Sequence, residues 1–370
     1  MTRRIRHSFA ISCVCALAVV VGVLSADGAS AATATPAPQG FVGIISPDVL
    51  GDSPTAQAAE LAAMHTAGIT LLRQVFDWSR IETSPGVYDF AAYDSLVADA
   101  AEHGIEVMPI LFNEPAFLSA RPKHNKKHGT YPPKNLSSIA AFATAAVNWY
   151  GPNGLFWTDN PSIPKMPITI WQIWDEENLN VYWLPKANPA QYVALLTAAD
   201  GAIHAADPTA EVVSGGIPQS PLPGIKLLKY LRAFLNDGGA GAMDTLGVNA
   251  YAPTAHGVLK LLAGVRNTLN AGGADTTPIR ISEFGWSDVG PGSRFRAGVK
   301  GQAKNIATVI PLLGAAQTTL SLQGFVYYAW RDEPPYPGAG NFWGLHTGLL
   351  RRNGTKKPSY NAFVTAVAAL

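Results

Sequence analysis

The feature that most constrains the fold of this chain is a regular alternation of short apolar, β-branched runs with longer Ala-rich stretches. The runs occupy residues 41–46, 70–78, 105–112, 168–174, 211–215, 245–251, 279–286 and 324–330. Nearly continuous apolar strands separated by helices indicate a parallel sheet that helices cover on its outer side. Eight such units in about 330 residues is the count and size of a (β/α)8 barrel. The sequence therefore predicts an α/β fold, a (β/α)8 TIM barrel in a single domain.

The stretches that follow these runs have the pattern of amphipathic helices. They cover residues 55–67, 91–103, 139–150, 189–206, 225–236, 256–270, 301–313 and 359–368. Several begin after Pro, Asp or Asn and end near Gly, as helix starts and stops do. A doubly wound open sheet is the alternative for such an alternation. No G-x-G-x-x-G segment follows the first strand, which disfavours that alternative.

The N-terminal segment has the order of a secretory signal peptide. Arg3, Arg4 and Arg6 precede an apolar run over residues 9–24, and small residues follow at 29–31. The run is shorter than the ~20 residues that a membrane-spanning helix needs. We predict a signal peptide over residues 1–31, cleaved near Ala31–Ala32, then a linker over 32–40 and one barrel domain over 41–370. The mature protein is expected to be secreted, without stable membrane insertion.

Cysteine placement and net charge exclude several functions. Both cysteines, Cys13 and Cys15, lie in the predicted signal peptide, so a mature chain has no thiol for catalysis, disulfides or thiolate metal sites. The formal net charge is +1, which provides no global field to attract nucleic acid. The predicted strand ends carry no clustered His pair. We expect no metal, no cofactor and no nucleic-acid partner, and a monomeric protein.

Two glutamates lie where a barrel places its chemistry, at the carboxyl ends of the strands. Glu176 ends the fourth predicted strand, and Glu283 lies in the seventh. These strands are three apart in an eight-membered ring, so their ends face one another across the barrel mouth. Cleavage of a glycosidic bond needs such a pair, one carboxyl protonated and the other ionised. Neighbouring charges separate the two pKa values and so provide an acid and a base at one pH.

The segments around these glutamates resemble those of the clan A glycoside hydrolases, retaining enzymes built on a (β/α)8 barrel. Residues 171–178 read W-x-x-W-D-E-E-N, similar to the clan's W-x-x-W-N-E-P-N on strand four. Residues 282–286 read S-E-F-G-W, similar to T/S-E-x-G-W on strand seven. The strand order is similar to that of family 39 and family 5 enzymes. The resemblance implies that Glu176 is the general acid/base and Glu283 the nucleophile of a double displacement on a polysaccharide or oligosaccharide.

The resemblance also implies roles for side chains at other strand ends. Arg73 and Tyr251 match residues that support the nucleophile, and Trp330 matches the aromatic platform under the sugar in the −1 subsite. An aromatic ring binds the apolar face of a sugar by burying area. The predicted substrate-binding residues are Arg73, Trp78, Asn113, Asp175, Tyr251, Trp286 and Trp330.

Three departures leave alternatives open. Asp175 replaces the clan's Asn, and an ionised Asp can only accept a hydrogen bond where Asn also donates one. Glu177 replaces the clan's Pro, so Glu177 is a second candidate for the acid/base. A literal N-E-P at residues 113–115 makes Glu114 a third candidate if an early strand has been miscounted. Because of Asp175, the alternative to an enzyme is a carbohydrate-binding pseudoenzyme on the same barrel.

Overall fold

The computed structural model describes residues 38–125, 129–335 and 340–370, and the predicted signal peptide lies outside them. Eight parallel strands form one sheet in the order β5-β4-β3-β2-β1-β8-β7-β6. They are β1 (Val42–Ile45), β2 (Leu71–Asp77), β3 (Glu106–Phe112), β4 (Ile170–Ile173), β5 (Glu211–Val213), β6 (Leu246–Asn249), β7 (Ile279–Phe284) and β8 (Leu322–Tyr328). A parallel bridge between Val213 and Thr245 joins β5 to the start of β6 and closes the ring. The predicted TIM barrel is confirmed.

A helix follows each strand and covers the outside of the barrel. The eight are α1 (Pro54–Thr66), α2 (Ala91–Glu102), α3 (Leu136–Tyr150), α4 (Pro189–Ala206), α5 (Leu227–Asn236), α6 (Ala255–Ala271), α7 (Gly298–Ala315) and α8 (Pro358–Val367). Side chains of Ser53, Asn188 and Thr254 accept backbone N–H bonds at the starts of α1, α4 and α6, which is why these helices begin there. Within the described residues, no helix is both long enough and apolar enough to span a membrane.

Several short elements decorate the loops. An antiparallel hairpin pairs Glu82–Ser84 with Val87–Tyr88. Short α-helices lie at Trp78–Ile81, Leu155–Asp159 and Gln317–Leu320, and 3-10 turns at Val49–Gly51, Gly239–Gly241 and Trp343–His346. None of these was predicted, because elements of two to five residues are too short for a periodic signal.

The hydrophobic core has two layers, because successive side chains of a barrel strand point to opposite faces. A small inner cluster fills the barrel and includes Leu71 of β2, Met108 of β3 and Val213 of β5. A much larger cluster lies between the strands and the helices, and it includes Phe76 of β2 and Ile281 of β7. The inner layer forms the floor beneath the polar side chains at the carboxyl ends of the strands.

A buried lysine ties together the loops that surround one side of the barrel mouth. Lys357, just before α8, is fully buried, and its Nζ lies 2.8 Å from Asp288 Oδ1 and 2.7 Å from Asp332 Oδ1. Asp288 follows β7 and Asp332 follows β8. A buried charge is tolerated only when it is paired and hydrogen-bonded. The three groups therefore fix the β7 and β8 loops to the helix that closes the barrel.

Candidate active site

A fully buried arginine organises the carboxyl ends of three strands. Arg73 of β2 donates from Nη1 to Glu283 Oε1 at 2.5 Å and from Nη2 to Asp175 Oδ1 at 2.8 Å. Its Nε donates to Gln172 Oε1 at 2.8 Å. A planar guanidinium with donors in a fixed fork holds its partners in a fixed arrangement. The structure thus places Arg73, Asp175 and Glu283, three of the predicted site residues, in one contact group.

A β-bulge aims Glu283 into the barrel. Along β7, Ile281 pairs with Val248 of β6, but the next pair is Glu283 with Asn249, so Ser282 is the extra residue. A bulge lets two successive side chains point to the same face. Ser282 and Glu283 accordingly both make contacts inside the barrel mouth.

The second oxygen of Glu283 is held from the neighbouring strand. Tyr251, two residues after β6, donates its hydroxyl to Glu283 Oε2 at 2.6 Å. With Arg73 on Oε1, each oxygen of this carboxyl group has a donor that fixes its direction. The Glu283 carboxyl group is therefore preorganised at the barrel mouth.

The backbone after β4 takes an unusual path that presents Glu176 to the mouth. Trp174 has φ 70° and Glu176 has φ 48°, values that non-glycine residues adopt at a steric cost. Such strain is concentrated at functional sites. Asn249, fully buried at the end of β6, donates from Nδ2 to Glu176 Oε1 at 3.0 Å, and its Oδ1 accepts from Ser282 Oγ at 2.8 Å. A neutral amide thus orients Glu176.

Asp175 and Glu176, which follow β4, have different neighbours, and these shift the pKa values of the two carboxyl groups differently. Burial raises the pKa of Glu176 well above its ordinary value, and the charges of Asp175 and Glu283 raise it further. Burial also raises the pKa of Asp175, but Arg73 opposes that effect, so the pKa reaches about 7. Burial and the neighbouring charges therefore favour the protonated form of Glu176, which is the form that a general acid needs.

Two alternative acids lie outside this group. Glu177 is 1% exposed, and a side-chain carbon added at Gly215 would collide with its Oε2, so Glu177 is packed beneath the β5 loop. Glu114 follows β3, as the confirmed strand count requires, and it is 8% exposed. Burial raises the pKa of Glu177 to about 8 and that of Glu114 to about 7.

Three predicted sugar-binding tryptophans are buried among the helices. Trp78 is fully buried and stacks on Phe142 of α3 with ring centroids 5.0 Å apart. Trp286 is fully buried, and its Nε1 donates to Ala252 O at 2.7 Å. Trp330 is 1% exposed and packs on Tyr360 of α8. The expectation that these rings contact the sugar is corrected, since their positions place them between the barrel and its helices.

Two further residues lie at the mouth: Asn113, which was predicted to bind substrate, and Trp343, which was not predicted. Asn113, with φ 67°, donates from Nδ2 to Asp77 Oδ1 at 2.8 Å and so joins the ends of β2 and β3. Trp343, half-buried in the β8 loop, lies edge-on to the Tyr251 ring with centroids 5.0 Å apart. Trp343 is thus a partly accessible tryptophan beside Tyr251, the residue that donates to Glu283. Its sequence signal was only its position after the eighth strand.

Asn249 and Gly216 were also missed. Asn249 could have been found from its position two residues before Tyr251 at the end of the sixth strand. Gly216 follows β5, and a side-chain carbon there would collide with Asn249 Oδ1 and Ser282 Oγ. A glycine is therefore required where the β5 loop passes the pair that orients Glu176.

A possible metal-ligand group lies at the other end of the barrel. Asp200 and His204 of α4 and Asp244, which precedes β6, form the one such group found among the described residues. His204 Nδ1 and Nε2 also lie 3.2 and 3.1 Å from the carbonyl oxygens of Asp200 and Ala210. The group is remote from the strand ends that carry Glu176 and Glu283, so it has no part in their chemistry.

The fold and the cluster around Arg73 define a (β/α)8 barrel protein with paired carboxyl groups at its mouth. The sequence profile of glycoside hydrolase family 42, described as beta-galactosidase, matches residues 52–111. No curated protein matches the chain significantly. These results and the structural matches below confirm the predicted resemblance to clan A glycoside hydrolases.

Solved glycoside hydrolases have the same fold. A family 39 enzyme from Bacteroides cellulosilyticus WH2 matches with a TM-score of 0.61 and 16% identity over 89% of this chain and 63% of that one. A monomeric beta-xylosidase from Caulobacter crescentus CB15 matches with a TM-score of 0.65 and 20% identity, over 90% of this chain and 69% of that one. An exo-beta-1,4-mannosidase from Opitutaceae bacterium strain TAV5 matches with a TM-score of 0.59 and 18% identity, over 90% of this chain and 62% of that one. This chain thus spans about two thirds of the length of these proteins.

Proposed function

We propose that this protein is a retaining glycoside hydrolase that cleaves O-glycosidic bonds of an oligosaccharide or polysaccharide. The observation that carries the proposal is that two carboxyl groups at one barrel mouth have different hydrogen-bond partners and different electrostatic surroundings. Arg73 and Tyr251 hold both oxygens of Glu283, whereas Glu176 faces a neutral amide and has a raised pKa. The similarity to solved xylosidases and mannosidases supports the same chemistry.

In the first step, Glu176 gives its proton to the glycosidic oxygen as the bond to the anomeric carbon breaks. A Glu283 oxygen attacks that carbon from the opposite face and forms a glycosyl ester. In the second step, the ionised Glu176 takes a proton from water, whose oxygen attacks the anomeric carbon. The ester bond breaks, Glu283 is regenerated as a carboxylate, and the sugar keeps its original anomeric configuration. Arg73 and Tyr251 keep Glu283 aligned throughout.

Paired substitutions test the proposal. Glu176→Gln and Glu283→Gln should each lower kcat by about 10³-fold or more on an aryl glycoside panel, because each removes an essential role. Glu177→Gln is the matched control, since it changes the adjacent carboxyl group outside the cleft. Azide should restore turnover of Glu176→Ala and yield a glycosyl azide of retained configuration. Near-normal turnover of either Gln variant, or an azide product of inverted configuration, refutes the proposal.

The pH dependence gives a further test of the acid role. Because Glu176 must be protonated to act, kcat/KM should fall as pH rises through its raised pKa. A basic limb that persists unchanged in Glu176→Gln contradicts the assignment. Sugar binding without turnover in the wild-type protein favours the carbohydrate-binding alternative.

We also propose that the protein is exported and acts as a secreted monomer, on the basis of the N-terminal charge and hydropathy pattern. Expression of the full chain in a secreting host, followed by N-terminal sequencing of the protein in the medium, should place the new N-terminus near Ala32. Retention of the protein in the membrane fraction contradicts this expectation.

A further inference from the structure

Asp175 has a second carboxylate oxygen where the asparagine that the clan places beside its acid/base has an amide nitrogen. The contacts of Asp175 show which of its two oxygens takes that place. Arg73 Nη2 and Gln172 Nε2 both approach Asp175 Oδ1, at 2.8 and 3.4 Å. Oδ2 has no hydrogen-bond partner among the described residues, and the side chain is 18% exposed. Oδ1 therefore takes the place of the amide oxygen, and Oδ2 stands where an amide nitrogen would present its donors.

Oδ2 of Asp175 lies at the same barrel mouth as the Glu283 carboxyl group. One guanidinium holds both Asp175 and Glu283, so the two carboxyl groups are neighbours at the mouth. When Glu283 attacks carbon 1, carbon 2 is one bond away, so we take its substituent to be the ring group that can reach both Glu283 and Asp175.

The number of protons on that substituent decides how well it fits. A hydroxyl group has one proton to donate, so it can satisfy Asp175 or Glu283 but not both at once. An asparagine avoids this conflict because its amide donates to the hydroxyl oxygen. An ammonium group has three protons and a positive charge, so it can donate to both carboxylates.

The charge balance points the same way. Arg73 supplies one positive charge to Asp175 and Glu283 together. Glu333 is 8% exposed and accepts from the Tyr328 hydroxyl at 2.8 Å. Burial raises its pKa to about 7, and the charges of Asp48 and Glu283 add to the effect. Where Asp175 and Glu283 are both ionised, Arg73 balances only one of their two negative charges, and a cationic substrate would neutralise the other.

We infer that Asp175 is a specificity-determining residue that selects glycosides with an ammonium group on carbon 2, the 2-amino-2-deoxy sugars. This inference rests on the proposed function, because it takes Glu283 as the attacking group. The loops around the mouth would recognise the remaining ring hydroxyls.

The test compares 4-nitrophenyl β-glycosides of glucosamine, galactosamine and mannosamine with those of the neutral parent sugars, in wild-type protein and Asp175→Asn. For the productive ring configuration, kcat/KM should favour the amine by at least tenfold in the wild type. Asp175→Asn should reverse or abolish that ratio. Asp159→Asn, which makes the same charge change on an exposed residue, should leave the ratio unchanged. A wild-type preference for the neutral sugars, or a ratio that Asp175→Asn does not change, overturns the inference and leaves the glycosidase proposal standing.

Calorimetric binding of the free amino sugars and their neutral parents separates this inference from the proposed function. The wild type should bind an amino sugar at least tenfold more tightly than its parent, and Asp175→Asn should remove the difference. That result, obtained without hydrolysis of any glycoside, refutes the glycosidase and retains amine recognition. Equal binding of both sugar types, or binding of neither, overturns amine recognition.

Discussion

The substitution Glu177→Gln tests whether Glu177, unlike its neighbour Glu176, lies outside the catalytic cleft. Glu177 is 1% exposed, and its Oε2 has no hydrogen-bond partner among the described residues. Since it lies beneath the β5 loop and not in the cleft, Gln at this position should leave kcat and KM within about twofold of the wild type. Its effect should be on stability and should depend on pH.

The magnitude follows from the pKa of this carboxyl group. Burial raises the pKa of Glu177 to about 8 from an ordinary value of 4.5. Between these pH values the folded protein holds a proton that the unfolded chain has released, so the free energy of unfolding decreases as pH rises through the window. A difference of 3.5 pKa units corresponds to at most about 5 kcal/mol. Glutamine cannot ionise, so the variant should lack this loss.

Equilibrium urea unfolding at pH 5 and pH 9 measures the effect. The free energy of unfolding of Glu177→Gln minus that of the wild type should increase by about 2–5 kcal/mol from the lower to the higher pH. Other buried acids, such as Glu114 and Glu333, are unchanged and cancel in the difference. Glu102→Gln, on the exposed end of α2, is the control and should give parallel profiles. Parallel profiles for Glu177→Gln, or a large loss of kcat in that variant, refute the placement of Glu177.

Three further predictions concern residues around the mouth. Gly216→Ala should displace Asn249 and lower kcat by about 10²-fold while the far-ultraviolet circular dichroism stays unchanged; normal kcat contradicts this. Lys357→Met leaves two buried carboxylates without their cation and should lower the free energy of unfolding by about 3–5 kcal/mol in urea titrations; a change below 1 kcal/mol contradicts the role of this lysine. Trp330→Ala should lower the free energy of unfolding by about 3–5 kcal/mol and leave KM unchanged. Trp343→Ala should raise KM and leave the free energy of unfolding nearly unchanged. The opposite pattern contradicts the placement of these two residues.

The barrel could be predicted from the sequence because its evidence is local and repeated. Each strand is a short apolar run, each helix has its own period and cap, and an error in one unit leaves the other seven intact. The hairpin at Glu82–Ser84 and Val87–Tyr88 and the helix at Trp78–Ile81 were missed because they depend on tertiary contacts. One such contact is the 2.6 Å hydrogen bond from Trp78 Nε1 to Glu82 Oε2.

The direction of side chains at the strand ends was harder to predict. Arg73 points into the barrel, so the alternation along β2 already places Trp78, five residues later, on the helix side. This alternation is visible in the sequence itself. Glu283 shows the opposite difficulty, because the β7 bulge breaks the alternation at this residue. A bulge changes which face a side chain occupies without any mark in a single sequence.

The sequence also could not determine which of its consecutive acids keeps a proton, since that depends on which one contacts the cation. Asp175 contacts Arg73, and a positive charge at 2.8 Å favours its ionised form. Among the described residues, Glu176 accepts its hydrogen bond from the neutral amide of Asn249, and burial and the charges of Asp175 and Glu283 raise its pKa. The Arg73 guanidinium therefore gives these acids different surroundings, because it binds Asp175 and Glu283 and leaves Glu176, whose pKa is raised by burial and like charge, to the amide of Asn249.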